Sequence, residues 1–120
     1  MSESLPPGLE AQVARLQQLQ EELQRILLRK EQWRVLIFEI DRALSELEKI
    51  SEDTPVYKIV GPVMIKWNKD SAIKELKDKK EDAQLHIKTL ERQETLIRKQ
   101  IEDLRKRISS QLSSVQQRPT

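Results

Sequence analysis

From Leu9 to Ile50 the chain carries no glycine or proline, and its apolar residues recur in alternating steps of three and four. Leu16, Leu23, Lys30, Ile37 and Leu44 fall at position a of a heptad, and Leu19, Ile26, Trp33, Ile40 and Leu47 at d. About five heptads in one register leave few alternatives: this is a long helix that buries a narrow stripe against another helix. Upstream, Pro6-Pro7-Gly8 cannot continue a helix backwards, so residues 1–8 read as a flexible tail and 9–50 as the first helix.

The pattern returns after Asn68-Lys69-Asp70-Ser71, where Asn68 or Asp70 is placed to cap free N–H groups. Residues 70–114 form the second helix, with Ile73, Lys80, Ile87, Glu94, Ile101, Ile108 and Val115 at a and Leu76, Ala83, Leu90, Ile97, Leu104 and Gln111 at d; 115–120 read as a tail. Glu75–Lys79, Glu94–Arg98 and Glu102–Lys106 have the favourable i,i+4 order, and Arg105-Lys106-Arg107 suits a helix C-terminus. Each helix is expected to reach on the order of 60 Å. Nearly equal lengths and a short connection predict that the two fold back as an antiparallel coiled coil. Lys30 and Glu94 then come within about one layer of each other. They either pair and exclude slipped registers, or snorkel out to water.

Between the helices the period changes. Within residues 51–69, Pro55 to Trp67 is rich in β-branched and aromatic residues and is broken at Gly61-Pro62, the pattern of a β-hairpin. A turn there sets Val60 opposite Val63, Lys58 opposite Ile65 and Val56 opposite Trp67, with Tyr57, Ile59, Met64 and Lys66 on the other face. An isolated two-stranded hairpin is marginal in water, and one with two apolar faces and open edges aggregates unless covered. Strands of other subunits are the natural cover. Val56, Tyr57, Ile59, Val60, Val63, Met64, Ile65 and Trp67 are therefore the candidate oligomer interface.

The composition closes off other classes. Charged residues make up 35% and aromatics 3%, too little bulk for a globular core. There is no cysteine, hence no disulfide or thiolate chemistry. No segment is apolar enough to span a membrane and none reads as a secretory signal, so the chain is expected to be soluble and cytoplasmic. The lone His86 falls on a flanking position and reads as a surface group, and the carboxylates follow the helix surface. No catalytic residue, metal cluster or phosphate loop emerges, so neither enzyme activity nor a cofactor is expected.

Charge is divided between the halves. Residues 1–54 hold seven basic against eleven acidic residues, a balance of −4; residues 55–120 hold fifteen against nine, a balance of +6. Opposite signs suit helices lying side by side better than a nucleic-acid surface. An RNA-binding hairpin using Lys74, Lys77, Lys79, Lys80 and Lys88 is a rival reading, but those lysines spread around the helix. A purely structural scaffold is a second rival. Leu27, Leu28, Val35, Leu36 and Phe38 lie off the seam, where they widen the core, meet a neighbouring subunit or hold a client. Leu5, Leu9, Val13, Leu112 and Val115 gather near the two termini, either as end-of-seam packing or as a frayed apolar grip.

The block Asp53-Thr54-Pro55-Val56-Tyr57-Lys58-Ile59-Val60-Gly61 with Val63-Met64-Ile65-Lys66 closely resembles the hairpin of archaeal prefoldin β subunits. Lys69-Asp70, Ala72-Ile73-Lys74-Glu75-Leu76-Lys77 and Leu90-Glu91-Arg92-Gln93-Glu94 look like the same family's second helix. The likeness covers most of residues 9–112, and a single hairpin matches the β type rather than the α type. It implies an ATP-independent chaperone subunit in a hexamer of two α-type and four β-type chains, whose hairpins join into β-barrels. The coiled coils of such assemblies are tentacles whose tips hold unfolded proteins and pass them to a group II chaperonin, without nucleic acid or membrane. Carried onto this chain, Val56 to Trp67 would build the body, and Leu5, Leu9, Val13, Leu16, Leu112 and Val115 a client-binding tip.

Overall fold

The computed structural model describes residues 7–116. Four elements follow in order: α1 (Pro7–Lys49), β1 (Val56–Val60), β2 (Val63–Trp67) and α2 (Lys69–Gln116). The mostly helical class, two long helices with a β-hairpin between them, is as the heptads and the central change of period predict. α1 starts at Pro7, two residues earlier than expected, because proline is tolerated at a first helical position, where the N–H has no partner in any case. α2 starts at Lys69 because Asn68 is the cap. Its Oδ1 accepts the Ser71 N–H at 2.8 Å, and its carbonyl accepts the Ala72 N–H at 3.0 Å. Asp70 instead lies inside the first turn, where its charge suits the helix dipole.

The chain divides into two compact units, one built from residues up to Arg29 and from Leu90 onward, the other from Lys30–Thr89. In the first unit Leu9, Leu19 and Ile26 of α1 and Leu90, Ile97 and Ile101 of α2 are buried, while Leu16, Leu23, Leu104 and Ile108 are half-buried. In the second unit Ile40 and Ala83 are buried, and Trp33, Ile37, Leu44, Leu47, Ile73, Leu76 and Ile87 are half-buried. Every one of these is an a or d residue. The core is a seam one or two side chains wide, which explains how a chain with so few aromatics folds. Lys30 is the one buried charged residue among those described, at 8% exposure. Glu94 is held by Arg98, whose Nε donates to its Oε2 at 2.8 Å.

The predicted i,i+4 pairs form: Glu75–Lys79 at 3.8 Å, Glu94–Arg98 at 2.8 Å and Glu102–Lys106 at 3.7 Å. Two contacts tie α1 to α2 within the second unit. Lys80 meets Asp41 at 2.7 Å, and the His86 imidazole stacks flat on the Trp33 indole, with centroids 4.2 Å apart and planes 2° from parallel. His86 is half-exposed, as a flanking position implies, but it is packed on a ring as well as solvated.

Candidate functional site

The hairpin pairs Val56 with Trp67, Tyr57 with Lys66, Lys58 with Ile65, Ile59 with Met64 and Val60 with Val63, the register expected from the Gly61-Pro62 turn. Gly61 has φ of 56°. Proline cannot adopt a positive φ, so the pair forms a type II′ turn, in which glycine leads and its twist matches that of the strands. Period-two alternation then sends Val56, Lys58, Val60, Val63, Ile65 and Trp67 to one face. Tyr57, Ile59, Met64 and Lys66 take the other.

Only Val56 and Lys58 among the ten strand residues are even half-buried. Tyr57, Ile59, Val60, Val63, Met64, Ile65 and Trp67 are exposed, Ile59 by 73% and Met64 by 67%. The sheet has two strands, so each also keeps one unpaired edge. All eight residues expected at an oligomer interface are thus brought together on one element. Seven of them are uncovered.

The root of the hairpin is anchored by a residue that the sequence reading left without a role. Lys58 stands among apolar neighbours on its face. Its ammonium lies 2.6 Å from Glu75 Oε1 on α2 and 5.2 Å from the centroid of the Trp67 ring. Lys79 approaches the same carboxylate at 3.8 Å. The hydrogen bond from Lys58 is the chief reason that the Glu75 carboxyl is held below its ordinary value; burial opposes the shift, and the charges of Lys58 and Lys79 reinforce it. Lys69 donates to the Ile50 carbonyl at 3.0 Å, just past the end of α1, where a cation is favourable. Between the hairpin and the helices is a cleft of about 480 Å³ lined by Leu47, Ile50, Val56, Trp67 and Leu76 among others. An isolated lysine on an otherwise apolar strand face was the available signal for this anchor.

The residues expected at the coil end divide differently. Leu9 is 2% exposed and packs inside the first unit, presenting nothing to a ligand in this arrangement. Val13 and Leu16 are half-buried, and Leu112 is exposed. Leu16, Ile108 and Leu112 line a cleft of about 320 Å³ with Arg105, Ser109 and Ser113. Leu5 lies outside the described residues; Val115 is in the last turns of α2, and its side chain is also outside them. Of the off-seam apolar residues, Leu27 and Leu36 half-bury, whereas Leu28, Val35 and Phe38 stay exposed.

Among the described residues there is no cluster of three or more His, Asp or Glu side chains arranged to hold a metal, and no helix long and apolar enough to cross a membrane. A coiled-coil hairpin that carries a bare apolar sheet defines a class, the subunit of a larger protein assembly. The comparisons agree. The family model described as prefoldin subunit matches residues 10–114. The prefoldin β subunit of Pyrobaculum islandicum is 48% identical over 109 residues, covering 91% of this chain and 87% of that one. The Saccharolobus islandicus prefoldin β subunit is 43% identical over 113 residues, 94% and 90% of the two chains. The crystal structure of the prefoldin β subunit from Thermococcus strain KS-1 superposes with a TM-score of 0.85 at 32% identity, over 98% of this chain and all of that one. That of the same strain's β2 subunit shares the fold, with a TM-score of 0.69 at 20% identity. The chain belongs to the prefoldin subunit family, whose members are non-enzymatic chaperone components, and its relatives are β subunits.

Proposed function

We propose that this chain is the β-type subunit of a cytoplasmic hexamer of two α-type and four β-type chains. In this reading it binds unfolded polypeptides at its coiled-coil ends and delivers them to a group II chaperonin without consuming ATP. The observation that carries the reading is the hairpin, with seven large apolar side chains uncovered on ten strand residues and both edges unpaired. Such an element is an aggregation site unless strands of other subunits close over it, as in a shared barrel. The client surface in this reading is the coil end, where Leu112 is exposed and Val13 and Leu16 are half-buried. Several weak grips on one assembly hold a client firmly while each remains reversible.

The RNA-binding reading is disfavoured by two of its own lysines, since Lys79 and Lys80 are committed to Glu75 and Asp41. Removing residues 1–16 and 109–120 tests the client assignment. The truncated chain, assembled with its α-type partner, is expected to keep the native mass of the hexamer and lose suppression of aggregation. Full protection by the truncated assembly overturns the assignment.

A further inference from the structure

From Val35 to Phe38 four apolar residues stand in a row on α1, and a helix cannot turn all of them to one side. Ile37 belongs to the seam with Trp33 and Ile40, and Leu36 is half-buried at its edge. Val35 and Phe38 lie across the helix from the seam and are 46% and 64% exposed. Their stripe runs Glu31, Val35, Phe38, Arg42, in steps of four, three and four, and all four residues are exposed. That is the spacing of a second seam, one that the described residues leave uncovered. A helix that is apolar all round is ordinarily buried all round, so this stretch of α1 calls for a partner besides α2.

The charges at the two ends of the stripe identify that partner. Glu31 precedes Val35 by one turn and Arg42 follows Phe38 by one turn, and neither makes an ion pair among the described residues. A second α1 laid alongside in the opposite direction sets Val35 against the second copy's Phe38, and Phe38 against its Val35. The same register sets Glu31 against the second copy's Arg42, and Arg42 against its Glu31. Two apolar layers are thus closed at both ends by opposite charges, a pattern that fixes register as well as partner. A parallel pair would set Glu31 on Glu31 and Arg42 on Arg42. A slip of one heptad in the antiparallel pair would set Glu31 on Val35 or Arg42 on Phe38, a charge against an apolar side chain. We propose that this face of α1 is a docking site for a second copy of this chain, joined antiparallel through Val35 and Phe38 and held in register by Glu31 and Arg42. About three turns of helix on each copy take part, so the contact is small and readily reversed. It is an association step separate from the hairpin, and it does not rest on the coil-end reading.

Sedimentation equilibrium of the full-length chain over a concentration series tests the contact, with Ile59→Glu present throughout to suppress association through the hairpin. This chain is expected to dimerise reversibly. Adding Glu31→Arg replaces two attractions per dimer by two repulsions and is expected to weaken dimerisation about ten-fold. Adding Phe38→Gln instead removes both aromatic contacts and is expected to weaken it about a hundred-fold. Glu31→Arg combined with Arg42→Glu restores opposite charges at both ends, and is expected to bring dimerisation back to its starting strength. Helix content by circular dichroism is expected to stay the same in every variant, since all three residues lie outside the seam, which separates a lost contact from a lost fold. A chain that stays monomeric with Ile59→Glu alone, or that dimerises equally well with Phe38→Gln, overturns the proposal. So does a dimer weakened by Glu31→Arg that Arg42→Glu fails to restore, because the two helices then do not run in opposite directions. An Ile59→Glu chain that associates as the wild type does, while still responding to the charge changes, counts against the hairpin reading and leaves the α1 contact standing.

Discussion

Single residues decide where the elements stop and how the hairpin is held. Asn68 matches two N–H groups of the first turn of α2 through its side chain and its carbonyl. Asn68→Ala is expected to lower stability by about 1 kcal/mol, read from denaturant melts of the assembled protein. Glu75 sets the sign of an acid response. Its carboxyl is held below the ordinary value of 4.5 by Lys58, so the contact contributes stability above that value and loses it as the pH falls through the lowered one. An NMR titration of the Glu75 carboxyl is expected to show the depressed midpoint in wild type and its return towards 4.5 in Lys58→Met; an unchanged midpoint in the variant means that Lys58 is not the cause. These contacts were only partly legible in the sequence. The cap was narrowed to Asn68 or Asp70 because capping chemistry is local, whereas the Lys58–Glu75 contact joins positions 17 apart and depends on how the hairpin leans on α2.

At the scale of the element, the seam was the most legible part of the molecule, because a and d spacing is itself the geometry of the buried stripe. Its depth was less so. Leu9 and Leu19 are 2% exposed while Leu16 between them is half-buried, a difference that heptad letters do not encode. Nor does heptad spacing foretell that His86 lies flat on Trp33, which requires the lateral offset of the two helices. Leu19→Ala is expected to cost about 2–5 kcal/mol, the cost of a cavity in a packed site, as measured by the loss of helical signal on heating. The hairpin register followed from sequence because Gly61 and Pro62 admit one tight turn. A Cβ on Gly61 meets no atom within 4 Å, so only backbone conformation opposes it. Gly61→Ala is therefore expected to cost about 1–2 kcal/mol through its left-handed φ alone. A far larger loss means that the turn also packs against something else.

For the whole molecule the controlling quantity is the uncovered apolar surface of β1 and β2. The chain's own helices half-cover Val56 and Lys58 and leave the rest of the sheet to solvent. If the cover is supplied by other subunits, stability must depend on concentration, because a partner that binds only the folded chain stabilises it by mass action. Each tenfold rise in subunit concentration then adds about 1.4 kcal/mol per association step. The melting temperature of a mixture with the α-type chain is expected to climb with concentration in that manner. Ile59→Glu, placed at the most exposed large apolar residue of the strands, is expected to flatten the dependence and reduce the native mass while leaving helix content nearly unchanged, since Ile59 lies outside the a/d seam. A burial of charge between strands opposes association far more than it opposes the lone hairpin, where the carboxylate stays in water. A variant that assembles like wild type, or a wild-type melt independent of concentration, shows that these strands are not covered by other chains and removes the physical reason for the assembly.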